Sequence, residues 1–120
     1  MLEKLSKSSG SVVGYKVVGK VTPEDYQKLN PEVQAVVDQF DKVCLLLNLQ
    51  EFAGEEAKAW LPDLKFGHRF HDKIVKMAIV GDKRWEKWLA RLADPFYAKE
   101  AKFFLPEDTD KAWAWMREDN

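Results

Sequence analysis

Val43-Cys44-Leu45-Leu46-Leu47-Asn48-Leu49 is the stretch on which the fold turns. Asn48 alone interrupts its apolar run. The run is far short of the roughly 20 residues that span a bilayer. It lacks the apolar–polar alternation of a strand with one wet face. It therefore reads as a central strand covered on both sides, as in a parallel sheet between helices.

Upstream, Thr22-Pro23-Glu24-Asp25 is a helix start. Thr22 accepts an amide bond as cap, and Pro23 occupies the first position, where no N–H is needed. Glu24 and Asp25 suit the positive end of the helix dipole. Asn30-Pro31-Glu32 repeats that logic, so a break and restart is expected there. Val33, Val36, Val37 and Phe40 then mark one apolar face. Before this helix, Val12 to Val18 reads as a β-branched strand. Leu2 to Ser8 reads as a short edge strand joined to it through Ser8-Ser9-Gly10-Ser11, the two forming a hairpin.

Downstream, Ala57, Trp60, Leu61, Leu64 and Gly67 describe a second helix, with Pro62 in its first turn or at a kink. Lys73 to Val80 is a second buried-type strand. Gly81 ends it, and Asp82 caps a third helix from Lys83 to about Leu92, closed by Asp94-Pro95. Ala101 to Leu105 is a last strand, and a last helix runs from about Glu107 to Arg117. The order is β-β-α-β-α-β-α-β-α. It predicts an α/β fold with a mostly parallel five-stranded sheet and about four helices, built from right-handed crossovers. At 120 residues, the expectation is a single domain spanning 1–120.

Composition excludes several classes. The formal net charge is −1, so the basic excess of a nucleic-acid binder is missing and no nucleic-acid partner is expected. Cys44 is the one cysteine, which suits a reducing compartment. No transmembrane stretch or secretory signal is visible, so the expected location is the cytoplasm, or the inner face of the membrane as a peripheral protein.

Three segments resemble the SpoIIAA-like family, small bacterial proteins related to STAS domains and grouped at fold level with Sec14-type lipid-binding domains. They are Gly19-Lys20-Val21-Thr22-Pro23-Glu24-Asp25-Tyr26, Val80-Gly81-Asp82-Lys83-Arg84-Trp85 and Ala112-Trp113-Ala114-Trp115. The resemblance covers almost the whole chain and implies a STAS-like α/β fold. STAS antagonists of anti-sigma factors carry a phosphorylatable Ser at the start of the helix after the third strand. Here that stretch is read as Asn48 to Glu56, and it offers no hydroxyl to phosphorylate.

Catalytic chemistry finds little purchase. His68 and His71 share a helical spacing, but a metal site needs three or four ligands, and no cysteine lies near. Ser8, Ser9 and Ser11 belong to a turn, with no sequence-local base to activate them. Cys44 lies in an apolar strand, which hides a thiol. Gly81-Asp82-Lys83 has too few glycines for a phosphate loop, and Asp82 repels an anion. Glu55-Glu56 and Glu107-Asp108 read as helix starts. No enzyme activity, metal or cofactor is expected.

The third helix is the informative element. Trp85, Trp88, Leu89, Leu92 and Phe96 fall within an arc about 100° wide. Lys83, Arg84, Lys87 and Arg91 flank it, with Glu86 the one acid. The first helix is the reverse, with Glu24, Asp25, Glu32, Asp38 and Asp41 against Lys28. A basic amphipathic helix with Trp on its apolar side is the pattern of interfacial membrane binding, although such a stripe also suits a helix covering a core. With Trp60 and Leu64 from the second helix, these residues form the expected site for an apolar small molecule or lipid, or for an anionic membrane surface. The other expectation is a regulatory module of STAS type acting on a protein partner or on a second copy of itself.

Overall fold

The computed structural model describes residues 1–55, 66, 69–70, 72–83 and 99–118, with the backbone alone at 54 and 55. Its axis is β3 (Val43–Glu55), which pairs in parallel with β2 (Val12–Val21) on one side and β4 (Ile74–Val80) on the other. Next to β4 lies β5 (Ala101–Phe104), also parallel. On the far edge β1 (Leu2–Lys4) runs antiparallel to β2, giving the order β1-β2-β3-β4-β5. The expected mostly parallel sheet is thus a mixed one. The seven residues between β1 and β2 suffice for a hairpin, whereas a parallel crossover needs a dozen or more. The first strand is also shorter than Leu2 to Ser8, because the Ser8 amide donates to the Leu5 carbonyl at 3.1 Å and turns the chain there.

Among the described residues two α-helices have full bounds, rather than about four, and Phe66, Arg69 and Phe70 are also helical. The two bounded helices are α1 (Pro23–Phe40) and α2 (Thr109–Arg117), the latter preceded by a 3-10 turn over Pro106–Asp108. The second and third helices expected from the sequence fall almost wholly outside the described residues.

The start of α1 is a reciprocal cap. Thr22 Oγ1 accepts from the Asp25 amide at 3.3 Å, and the Asp25 carboxylate accepts from the Thr22 amide at 2.8 Å. The expected break at Asn30-Pro31 does not occur, and α1 runs through Pro31. Tyr26, Leu29, Val33 and Val37 are buried on both sides of the proline. Each contributes about 1.5–3 kcal/mol, which together exceeds the ~3 kcal/mol cost of an interior proline. Phe40 departs from the expected face and stands 40% exposed where α1 ends. Asp41 closes the helix in the left-handed region at φ 61°, its amide donating to the Val37 carbonyl at 2.7 Å.

The continuous apolar run of β3 is explained by a core on each face. Val43, Leu45 and Leu49 pack with α1, Phe66 and Phe70. Cys44 and Leu46 pack with Ala112, Trp113, Trp115 and Met116 of α2. On β4, Met77 and Ile79 join the first core, while Ala78 and Val80 join the second. Gly14 of β2 sits under Trp113. A Cβ there would come within 2.9 Å of Trp113 Cζ2, closer than real atoms approach.

Past Asn48 the sequence reading fails. The stretch Asn48 to Glu56, read as a loop entering a helix, continues as strand through Glu55. Lys16 pairs with Asn48 but Val18 pairs with Glu51, so β3 carries a bulge there. The bulge puts Leu49 and Phe52 on the same buried face. Because β4 ends opposite Asn48, the rest of β3 extends beyond it, paired with Val18 to Val21 of β2.

Candidate functional site

In an open sheet of parallel strands, ligands bind outside the carboxyl ends of the strands. Here β2 ends at Val21, β3 at Glu55, β4 at Val80 and β5 at Phe104. The extended ends of β2 and β3 project past β4 and form one wall of that end. Gly81 is buried, and its amide donates to the Phe104 carbonyl at 3.1 Å, fixing how the chain leaves β4. Lys16 lies on the sheet face opposite Tyr15 and Val17 and pairs with the Glu51 carboxylate. The hydrogen bond and charge of Glu51 raise the pKa of the Lys16 ammonium. Beside this pair, Asn48 accepts from the Gln50 amide at 3.0 Å, and its side-chain nitrogen donates to Gln50 Oε1 at 3.1 Å. The wall is therefore polar on this face and apolar on the other, where Leu49 and Phe52 are buried.

Of the residues expected to bind a ligand or membrane, Trp60, Leu64, Trp85, Trp88, Leu89, Leu92 and Phe96 lie outside the described residues, as do Arg84, Lys87 and Arg91. Lys83 is described and exposed. The segments that carry these residues follow the carboxyl ends of β3 and β4, which are neighbours in the sheet. His68 and His71 also lie outside the described residues. Among the described residues no group of three or more His, Cys, Asp and Glu is placed to hold a metal. No helix among them is long and apolar enough to cross a membrane.

Other side chains have structural duties. Ser8 Oγ accepts from the Gly14 amide at 2.9 Å, and Ser9 and Val12 exchange both backbone bonds across the turn. Cys44 is fully buried against α2. Glu55 ends a strand instead of starting a helix. The acids of α1 form less of an open field than their count suggests. Asp25 caps the helix, Glu32 accepts from Tyr15, and Asp41 accepts from Lys73 at 2.8 Å. That bond and the Lys73 charge hold the Asp41 carboxyl below its ordinary pKa. The hydroxyl expected of a phosphorylation switch is missing on any boundary, since no Ser or Thr occurs between Thr22 and Thr109.

Three relationships escaped the sequence. Tyr15 is buried on β2, and its hydroxyl donates to Glu32 Oε2 at 2.7 Å. Burial first, then that bond and the Glu32 charge, push the phenol well above its ordinary pKa. Lys76 donates to the carbonyls of Trp115 at 2.8 Å and Glu118 at 3.0 Å, placing a cation at the negative end of α2. Its ammonium stands 5.2 Å from the Trp115 ring, which Lys102 also approaches at 5.0 Å. The third is the contact of Gly14 with Trp113. A glycine inside an apolar strand and a later Trp-rich helix were its only sequence signals.

Known proteins agree with this architecture. The crystal structure of an uncharacterised DUF3478-family protein with a SpoIIAA-like fold, from Shewanella loihica PV-4, is similar at 27% identity and a TM-score of 0.76. The match covers 97% of this chain and 92% of that one. No curated protein matches the chain. The fold is that of STAS-type binding and regulatory domains. The SpoIIAA-like family model matches residues 12–117, and the chain belongs to that family.

Proposed function

We propose that this SpoIIAA-like domain is a non-catalytic binding module for an apolar or lipid-like ligand, and that it meets anionic membrane surfaces from the cytoplasmic side. The contact is made by Trp85, Trp88, Leu89, Leu92 and Phe96, with Trp60 and Leu64 alongside and Lys83, Arg84, Lys87 and Arg91 as the basic flank. One observation carries the reading. The two Trp-bearing segments leave the carboxyl ends of adjacent parallel strands, the end where such sheets take ligands. Apolar rings insert below the headgroups while the cations pair with anionic lipid, so the attraction weakens with salt.

Co-sedimentation with anionic liposomes at low salt tests this, together with Trp emission. Trp113 and Trp115 are already buried, so a blue shift reports on the other three indoles. The proposal expects both pelleting and a blue shift. A protein that stays in the supernatant with unchanged emission overturns it.

Family membership favours a second reading, a regulatory protein-interaction module that lacks the usual phospho-acceptor. A stoichiometric complex with a protein partner, or with a second copy, that is indifferent to lipid would select this reading over the first.

A further inference from the structure

At the opposite end of the sheet, where β2 and β3 begin, lies an open cleft of about 470 Å³. Its lining includes Ser9, Gly10, Ser11, Phe40, Lys42 and Arg117. Two cations face it, brought together from opposite ends of the chain. Lys42 follows α1, and Arg117 ends α2. Among the described residues no carboxylate lines the cleft. Of the acids nearby in sequence, Asp41 pairs with Lys73, Asp38 accepts from Gln34 at 2.7 Å and Asp110 pairs with Lys7 at 2.8 Å, while Glu118, next to Arg117, is exposed and is not among the residues lining the cleft. Among the described residues neither Lys42 nor Arg117 forms an ion pair with a carboxylate, so the cleft keeps its positive charge.

Arg117 is held in place before any ligand arrives. Its guanidinium stands 5.1 Å from the Trp113 ring centroid, and Nη2 donates to the Lys7 carbonyl and, at 3.2 Å, to Ser9 Oγ. A guanidinium has five N–H donors, so Nη1 and Nε keep theirs. Ser9 and Ser11 add hydroxyls. Phe40, 40% exposed, supplies an apolar wall beside this cationic corner.

We propose that the cleft binds a small phosphate monoester carrying an apolar group. Two positive charges with two hydroxyl donors match a dianionic phosphate, and the ring of Phe40 receives the ester's apolar part. The site lies at the end of the sheet opposite the carboxyl ends of β3 and β4 and stands or falls independently of membrane binding.

Titration of the full chain with phenyl phosphate, followed by amide peak positions in a proton–nitrogen spectrum, tests the proposal. Saturable shifts are expected at Gly10, Ser11 and Lys42, with inorganic phosphate about tenfold weaker for want of the ring. Lys42→Ala weakens phenyl phosphate by about tenfold or more. Phe40→Ala leaves phenyl phosphate no tighter than inorganic phosphate. Glycerol phosphate, the soluble headgroup portion of phosphatidic acid, binds no more tightly than inorganic phosphate, because it brings no apolar group to Phe40. The proposal is overturned by absent or unsaturable shifts, by equal affinity in Lys42→Ala, or by equal affinity for the two phosphates. Glycerol phosphate binding as tightly as phenyl phosphate overturns it in favour of a headgroup site without an apolar requirement.

Discussion

The indole of Trp113 occupies the space that a side chain at Gly14 would fill, so α2 and β2 meet with the Trp113 ring against the strand backbone. Overpacking a core costs about 1–3 kcal/mol. Gly14→Ala is therefore expected to lower unfolding stability by that amount in urea titration. Because the clash is with Trp113 itself, Trp113→Phe in the Gly14→Ala background should cost less than the two single changes added together. Simple additivity would show that Gly14 matters for another reason.

Pro31 sits on the exposed side of α1 and removes the bond that residue 31 would give to the Gln27 carbonyl. Pro31→Ala restores that bond, at the loss of some rigidity in the unfolded chain. A gain of about 1–2 kcal/mol is expected, read as a higher melting temperature. A lower melting temperature would show that the proline fits α1 without cost.

Tyr15 gives stability a specific alkaline limb. The folded state holds the phenol above its ordinary pKa of about 10, so the folded chain keeps a proton that the unfolded chain releases. The raised folded value means this contribution is intact below pH ~10 and declines above it, by up to about 1.4 kcal/mol per pH unit. Tyr15→Phe should lose about 0.5–1.5 kcal/mol at neutral pH, from the bond to Glu32, and flatten the alkaline decline. Parallel urea titrations from pH 7 to 11 check this. Identical slopes for the two proteins would contradict it.

Lys76 closes α2 by donating to the carbonyls of Trp115, in its last turn, and of Glu118, just past its end. Lys76→Met keeps much of the apolar stem but leaves those carbonyls without the cation, and should cost about 1–2 kcal/mol. The Trp115 environment should change with it, visible as altered near-ultraviolet circular dichroism. An unchanged spectrum and stability would mean that water caps the helix equally well.

Legibility followed chemistry. Val43 to Leu49 announces a strand covered on both faces because Val43 to Leu46 are buried on both sides of the sheet. Thr22-Pro23-Glu24-Asp25 announced its cap because the cap is local. What failed was non-local. Gln50 to Glu55 contains no β-branched residue, yet it pairs with Val18 to Val21 and becomes strand. Pro31 looks like a boundary because its cost is local, whereas the burial of Tyr26, Leu29, Val33 and Val37 that outweighs it is set by the tertiary fold. The family showed itself in Gly19 to Tyr26, Val80 to Trp85 and Ala112 to Trp115. The proposed Trp-bearing site rests on helical periodicity in the sequence, while the cleft between Lys42 and Arg117 needs the tertiary fold to bring two distant cations together.

The central functional claim is that Trp85 and Trp88 enter lipid. Quenching of Trp emission by brominated acyl chains in phosphatidylglycerol vesicles tests it most directly, because bromine quenches only indoles that reach the chains. The account predicts strong quenching in the unaltered protein and a marked reduction, to what Trp60 alone gives, in a Trp85→Phe, Trp88→Phe double variant that stays folded. Emission untouched by brominated lipid in the unaltered protein would contradict it.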